Sequence, residues 1–205
     1  MNTNNNLPTS YKFLLVFLFL GFANIMMGQD PTLLDFNTQR LKINRTAMTV
    51  LGGWAIGNLA SGALLTGQKS GKAKYFHQMN LGWSAINLGI AGFAYYNAVK
   101  TDPANFDLLG SLKEQEKITR ILLFNAGLDI GYIMGGAYLR ERAKTTTNNP
   151  ERLAGFGESI ILQGAFLLVF DLAVLWVHHQ HGKDLHPLIG GLSFGGNGVS
   201  WRVVF

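Results

Sequence analysis

The residues of this sequence that could carry chemistry are acids and amides placed inside long apolar stretches. Asp129 lies near the middle of one stretch, with Asn125 one helical turn before it on the same face, and Asp171 lies in another. Asn58 and Asn87 belong to the two remaining stretches. An ionisable group at the centre of a membrane helix costs about 3 kcal/mol on insertion scales, so each needs a partner or a role. One hypothesis is an internal cluster that binds a proton, a cation or a small polar ligand. The alternative is structural, with these groups satisfying one another and holding the helices in register.

A second group of candidates is the histidine-rich segment that follows the last apolar stretch. It contains His178, His179, His181 and His186. Several imidazoles within a short segment can ligate zinc or another metal. Their spacing matches no catalytic metal motif, and histidines at a helix C-terminus also interact favourably with the helix dipole. Dipole stabilisation is therefore the alternative to a metal site, and the sequence predicts no cofactor.

Other chemistry is excluded by composition or by missing motifs. The 205 residues include no cysteine, which rules out disulfides, thiolate metal sites and cysteine nucleophiles. No phosphate-binding loop, dinucleotide fingerprint or zincin pattern is present. The net charge is +5, but the lysines and arginines flank apolar segments and form no basic face, so nucleic acid is not an expected partner. The chain is not predicted to be an enzyme.

Four apolar stretches must position these residues. They run over about 48–65, 76–99, 118–139 and 153–177, and each is close to the roughly 20 residues that cross a bilayer. Apolar side chains occupy all faces of each stretch, whereas an amphipathic surface helix would have one polar side. Only 14% of the residues are charged, against about 25% in a typical soluble domain. We therefore predict an all-α fold, a four-helix transmembrane bundle, with the lipid bilayer as its main partner.

The N-terminal segment 1–28 has the organisation of an export signal. A polar start ending in Lys12 is followed by an apolar run of about ten residues, too short to cross a bilayer. Cleavage after Ala23 or after Gly28 would fit, and an uncleaved anchor is the alternative. Each of these readings places Asp30 outside the cytoplasm.

The distribution of charge in the turns supports the same orientation. The turn between the first two stretches carries Lys69, Lys72 and Lys74 without an acid. The turn between the last two stretches is also basic, whereas the middle loop is rich in acids. Because positive charge collects on the cytoplasmic side, the sequence predicts a multi-pass inner-membrane protein with an extracytoplasmic C-terminus.

Small residues at every fourth position mark the first and third stretches. The segment Gly53–Leu65 aligns without gaps with Gly127–Leu139, which indicates either two duplicated helical hairpins or convergence on the same packing. Small residues let helix backbones approach closely in lipid. We therefore predict that the first and third helices pack together, with dimerisation of two copies or binding of another membrane protein as alternatives. The packing residues would be Gly53, Gly57, Ser61, Gly127, Gly131 and Gly135.

The predicted organisation is completed by a tail with a different pattern. The membrane domain would cover 29–182, and 183–205 would be an extracytoplasmic tail. Its Gly195–Gly198 segment, Gly-Gly-Asn-Gly, is a strong turn signal. A short β-hairpin is predicted because apolar residues alternate strictly after this turn, at Val199, Trp201, Val203 and Phe205.

Five strings in the chain stand out: Arg40-Leu-Lys-Ile-Asn-Arg45, Gly52-Gly-Trp-Ala-Ile-Gly-Asn58, Phe76-His-Gln-Met-Asn80, Gly155-Phe-Gly157 and Leu162-Gln-Gly-Ala-Phe166. With these strings the chain resembles a family of small four-helix membrane proteins of unknown function from Bacteroidetes-type bacteria. The resemblance implies the membrane architecture and no activity.

Three function classes remain open on the sequence. The first is a structural, assembly or partner-binding membrane protein. The second is a small proton- or cation-linked transporter that uses Asp129 and Asp171. The third and least favoured is a membrane enzyme that uses the histidines and a metal.

Overall fold

The structure is a computed structural model that describes residues 32–185 and, in the tail, the backbone of two short strands. The described part contains four long helices, as the sequence predicts. Their bounds are α1 (Leu33–Thr66), α2 (Gly71–Lys100), α3 (Leu108–Ala143) and α4 (Pro150–Gly182). Two one-turn 3₁₀ helices, Pro103–Asn105 and Lys183–Leu185, follow α2 and α4. The predicted signal peptide at 1–28 lies outside the described residues.

The tail strands are β1 (Leu192–Gly195) and β2 (Gly198–Trp201). They pair antiparallel, with Leu192 opposite Trp201 and Gly195 opposite Gly198. The predicted alternation beyond Trp201 falls outside the described residues, as does His186.

Three of the helix starts are set by local side-chain chemistry. The Thr32 hydroxyl accepts a hydrogen bond from the backbone N–H of Asp35 at 3.2 Å, and an Asp107 carboxylate oxygen accepts one from Gly110 at 2.7 Å. Both bonds satisfy donors that a helix leaves unpaired in its first turn. Pro150 occupies the first position of α4, where its missing N–H costs nothing.

Three of the four helices, α1, α3 and α4, are long and apolar enough to cross a membrane. The second helix is not one of them, although the apolar pattern predicted four spans. Polar residues along α2, among them the buried Asn80, Ser84 and Asn87 and the exposed Asn97, interrupt its apolar runs.

The helices are longer than the apolar stretches that predicted them. α1 has 34 residues, a length of about 51 Å that exceeds the roughly 30 Å of a hydrocarbon core. Its first part packs against the start of α3 and the end of α4, where Asn37 Nδ2 donates to Ser111 Oγ at 2.9 Å. We call this end of the bundle the cap layer; its members are Phe36, Asn37, Arg40, Ser111, Gln115, His178 and His181, all buried.

The helices associate as two hairpins, α1 with α2 and α3 with α4, and α2 packs on α4 to join them. The closest approach within the second hairpin is between Gly136 and Gly157. A Cβ built on either glycine would lie 2.6 Å from the carbonyl oxygen of the other. Gly155 makes a comparable approach to the α2 backbone near Phe76. Because glycine has no side chain, these positions let the helix backbones come into direct contact.

The predicted packing of α1 on α3 through their small-residue stripes is wrong for the single chain. These two helices barely touch. Within residues 32–185, a Cβ added at Gly53, Gly57, Gly127, Gly131 or Gly135 would meet nothing within 4 Å, and Ser61 donates to the Asn58 carbonyl of its own helix. The physical reason is that the residue of α3 in contact with a neighbouring helix is one position further along the chain than the predicted stripe. Gly136, next to Gly135, points toward α4, so the stripe itself lies on the outer face.

The outer surface of the bundle carries many large apolar side chains. Among the exposed ones are Phe93 at 71% and Phe124 at 68%. The interior combines apolar residues with buried polar side chains such as Asn80, Gln163 and Asp129. Water would penalise so apolar an outer surface, which is compatible with a location in a membrane.

Candidate ligand cavity between the helices

A cavity of about 650 Å³ lies between the four helices, all of which contribute to its wall. Ligand sites in proteins typically have volumes of roughly 300–1,000 Å³. Along α3 the lining runs from Ile118 to Tyr132, a length of about 21 Å at the rise of an α-helix. Most of the wall is apolar, and its polar members are Asn44, Trp83, Asn87, Asn125, Asp129, Tyr132, Asp171 and His178.

The two acids predicted from the sequence meet in this cavity. Asp129 on α3 is 2% exposed and Asp171 on α4 is 5% exposed, and the two carboxyl groups are within hydrogen-bonding reach of each other. In the described part of the chain, neither forms an ion pair with a lysine or an arginine, and Asp129 Oδ2 has no hydrogen-bond donor. Two carboxylates this close need a proton or a cation between them.

Two of the three predicted amides join the acids, and the third does not. Asn125 and Asn87 line the cavity together with Asp129 and Asp171. Asn58 is not part of the lining, so its predicted place in the cluster is wrong. Its Oδ1 instead accepts a hydrogen bond from Asn80 Nδ2 at 2.7 Å. The cause is the helix arrangement, because α1 faces α2 at this level rather than α3.

Asn58 belongs to a network of hydrogen-bonded amide side chains that connects the helices. Gln163, fully buried on α4, is its centre. The Gln163 Oε1 atom accepts from Trp54 Nε1 at 2.9 Å and from Asn87 Nδ2 at 3.5 Å, and Gln163 Nε2 donates to Asn80 Oδ1. Trp54 also stacks on Phe166, with ring centroids 3.9 Å apart. The network therefore links α1, α2 and α4 through polar groups that satisfy one another.

Sequence reasoning missed Trp83 and Tyr132 as lining residues. Their rings meet edge to face, with centroids 4.8 Å apart, beside the two acids. The buried Trp83 Nε1 has no hydrogen-bond partner among residues 32–185. The spacing along the chain could have identified them, because Trp83 lies four residues before Asn87 and Tyr132 lies three residues after Asp129. These intervals place each aromatic residue on a polar face of its helix.

The histidines at the end of α4 divide between buried and exposed positions. His178 and His181 are buried in the cap layer, whereas His179 is exposed. The His181 ring stacks on Phe36 at 4.2 Å, with its Nε2 3.0 Å from the Phe36 carbonyl oxygen and its Nδ1 3.3 Å from Asp184. The described residues contain no group of three side chains that could hold a metal ion. The predicted metal site would therefore need His186, which lies outside them.

His178 differs from His181 because it lines the cavity. It is fully buried, and neither ring nitrogen has a hydrogen-bond partner in the part of the chain that the structure describes. Its own carbonyl oxygen accepts from Gln115 Nε2 at 2.6 Å, which holds the end of α4 against α3. The guanidinium of Arg40, another member of the cap layer, lies 4.4 Å from the centre of the Phe106 ring.

The cavity opens sideways, between α2 and α3. These two helices do not form a packed interface in the described part of the chain. The lining residues on this side are exposed and apolar: Ile86 and Ile90 on α2, and Ile121 and Leu128 on α3. The mouth of the cavity is therefore continuous with the apolar outer surface of the bundle.

These features define a bundle of four helices that encloses a largely apolar cavity with two buried acids. Residues 50–172, more than half of the chain, match the model of a protein family described as a family of unknown function (DUF6992). The chain belongs to this family, which confirms the expectation of an uncharacterised family. A search of curated proteins gave no match. A search of solved structures gave none either.

Proposed function

We propose that this protein is an integral membrane protein that binds a cationic group between Asp129 and Asp171, as a small proton- or cation-linked carrier. The supporting observation is the pair of buried carboxyl groups in one cavity, without a basic partner among the described residues. Burying an acid without a basic partner costs free energy, so acids of this kind inside membrane helices commonly mark ion or proton pathways. A purely structural role fits the amide network around Gln163 better, because every side chain in that network has a partner.

All four helices cross the bilayer in this proposal, including α2. The turn between α1 and α2 spans only Gly67–Ser70, and α3 begins at the same end of the bundle as α1, where Asn37 bonds Ser111. If α1, α3 and α4 cross, the chain must return through α2. Its buried amides face α1 and α4, whereas its outer face carries Ile86, Ile90 and Phe93, which suit lipid.

The proposed orientation places the basic turns in the cytoplasm and the cap layer outside. It follows from the lysines of the first turn, from the predicted signal peptide and from the exclusion of positive charge from translocated loops. The C-terminal tail is then extracytoplasmic, and the compartment is the inner membrane.

Single cysteines test this topology against a background that contains none. Asn105 and Lys69 are both exposed, at opposite ends of the bundle. We expect Asn105→Cys to react with a membrane-impermeant maleimide in intact spheroplasts, and Lys69→Cys to react only after lysis. The reverse pattern would overturn the orientation. Recovery of the protein in the supernatant without detergent would overturn the membrane assignment itself.

Cation binding is tested with n-octylammonium and with 1-octanol, an uncharged probe of the same chain length. Calorimetric titration of the protein in lipid nanodiscs, with empty nanodiscs as the blank, should show tighter binding of the ammonium. In the double variant Asp129→Asn, Asp171→Asn, the affinity for n-octylammonium should fall at least about tenfold, since one charge-assisted contact is worth roughly 1.5–3 kcal/mol. The affinity for 1-octanol should not change.

The matched control removes two exposed acids of α3, as Glu116→Gln, Glu141→Gln, and should leave both affinities unchanged. An equal loss in this control would show that the effect is a general one of surface charge. If the double asparagine variant does not fold, the unmodified protein decides the question. Equal affinities for the ammonium and the alcohol would overturn the proposal.

A further inference from the structure

His178 is a buried polar side chain that the proposed cation site does not use. It lies in the cavity wall with both ring nitrogens unpartnered in the described part of the chain. A buried polar group without a partner costs free energy, so such groups generally meet water or a ligand. Whether the imidazole donates or accepts depends on its tautomer, so it can pair with a hydroxyl or a carbonyl group.

The separation between His178 and the acids sets the length of a ligand that could contact both. Asp171 and His178 are seven residues apart on α4, so they lie on the same face, separated by about 10 Å along the helix axis. Both are lining residues of one continuous cavity. A single elongated molecule can therefore contact both.

Most of the wall between these two polar positions is apolar. On α4 it is formed by Val174, and on α3 by Leu122 and Ile118, whereas Asn44 and Asn125 are polar members of the same cavity. Most polar groups along the middle of a ligand would lose their hydrogen bonds to water here without gaining others. The middle of a molecule that fits this cavity is consequently mainly hydrocarbon.

The mouth of the cavity indicates where such a molecule comes from. It opens between α2 and α3, where Ile86, Ile90, Ile121 and Leu128 are exposed. In a bilayer these side chains contact acyl chains, so a ligand can enter from the lipid phase without crossing a polar surface.

We propose that the cavity binds a membrane-dissolved, single-chain amphiphile that carries an amine at one end and a hydroxyl or carbonyl group at the other. The amine pairs with Asp129 and Asp171, the chain contacts the apolar wall, and the second polar group bonds the imidazole of His178. This inference rests on the proposed cation site and adds the second contact point and the chain between the two.

A double-mutant cycle between ligand and protein tests the second contact. The probes are 8-amino-1-octanol and n-octylammonium, which differ by the terminal hydroxyl, and the variant is His178→Leu. We expect the hydroxyl to tighten binding to the unmodified protein about fivefold, the range of one neutral hydrogen bond. This gain should vanish in His178→Leu, while the affinity for n-octylammonium stays the same.

The exposed neighbour His179 supplies the matched control. His179→Leu should keep the full gain from the hydroxyl, because its side chain faces away from the cavity. A gain that survives in His178→Leu would overturn the inference. The absence of any gain in the unmodified protein would also overturn it, and would assign the imidazole to an ordered water.

The length of the probe gives a measurement that requires no variant. Comparing 6-amino-1-hexanol, 8-amino-1-octanol and 10-amino-1-decanol with the alkylamines of the same length should show a gain only when the chain reaches His178. A gain that does not depend on length would contradict the inference. Failure of the underlying cation site has a different signature, since n-octylammonium would then bind no better than 1-octanol.

Discussion

Gln163→Leu should lower the free energy of unfolding by about 3 kcal/mol, since it leaves several buried hydrogen-bonding groups without partners at once, each worth roughly 1–3 kcal/mol. Leucine has a similar size but cannot pair with Trp54 Nε1 or Asn80 Oδ1, both of which bond Gln163 in the structure. Each hydrogen bond broken between membrane helices costs less free energy than one broken in a water-soluble protein core, so the expected loss is smaller than the sum of the individual values. Reversible unfolding of the purified protein by sodium dodecyl sulfate in mixed micelles measures it.

A graded variant and a control accompany this prediction. Trp54→Phe should cost only about 1 kcal/mol, because it removes one donor and retains the stacking on Phe166. Gln78→Leu, at an exposed position of α2, should change little. If Gln163→Leu proved as mild as Gln78→Leu, the amide network would not hold the helices together, and its members would have to be reconsidered as ligand contacts.

Gly157→Ala and Gly131→Ala should have opposite effects on stability. The new methyl group of Gly157→Ala would lie 2.6 Å from the Gly136 carbonyl oxygen and 3.0 Å from the Arg140 backbone nitrogen. Backbone atoms cannot rotate away, so α3 and α4 must separate, at a cost that overpacking studies place at about 1–3 kcal/mol. Alanine regains up to about 1 kcal/mol of helix propensity, which is too little to offset the larger values.

Gly131→Ala carries the same gain in helix propensity without the collision. A methyl group at Gly131 meets no atom of the described residues within 4 Å, so this variant should match or slightly exceed the unmodified protein in melting temperature. Thermal unfolding in detergent, followed by circular dichroism, compares the two. Destabilisation by Gly131→Ala would contradict the open outer face described here and would favour the alternative use of this stripe between two copies of the chain.

The sequence alone determined the number and approximate positions of the four helices, because the length and uniform apolarity of each stretch are local properties. It also indicated that Asp129, Asp171, Asn58, Asn87 and Asn125 need a common explanation, since acids and amides inside apolar helices are costly wherever they point. The cavity brings together all of these residues except Asn58.

Only the tertiary structure decided which helices are neighbours, and that choice depends on contacts between residues far apart in the chain. A helical repeat of small residues shows that some close approach is favourable but does not identify the partner. Gly135 and Gly136 differ by one position, yet Gly136 touches α4 and Gly135 faces outward. Because successive residues of a helix point about 100° apart, Gly135 and Gly136 face different surroundings. The composition of the stripe does not show which of the two faces another helix.

The same dependence on rotation separated Asn58 from the acids and placed His178 in the same cavity as the acids. Asn58 faces α2 and pairs with Asn80, whereas His178, two helical turns beyond Asp171, lines the cavity that the acids share. The residue types gave the chemistry that each side chain can perform. Which of them perform it together was decided by the packing of α1 on α2 and of α3 on α4, because only that packing sets which polar faces meet.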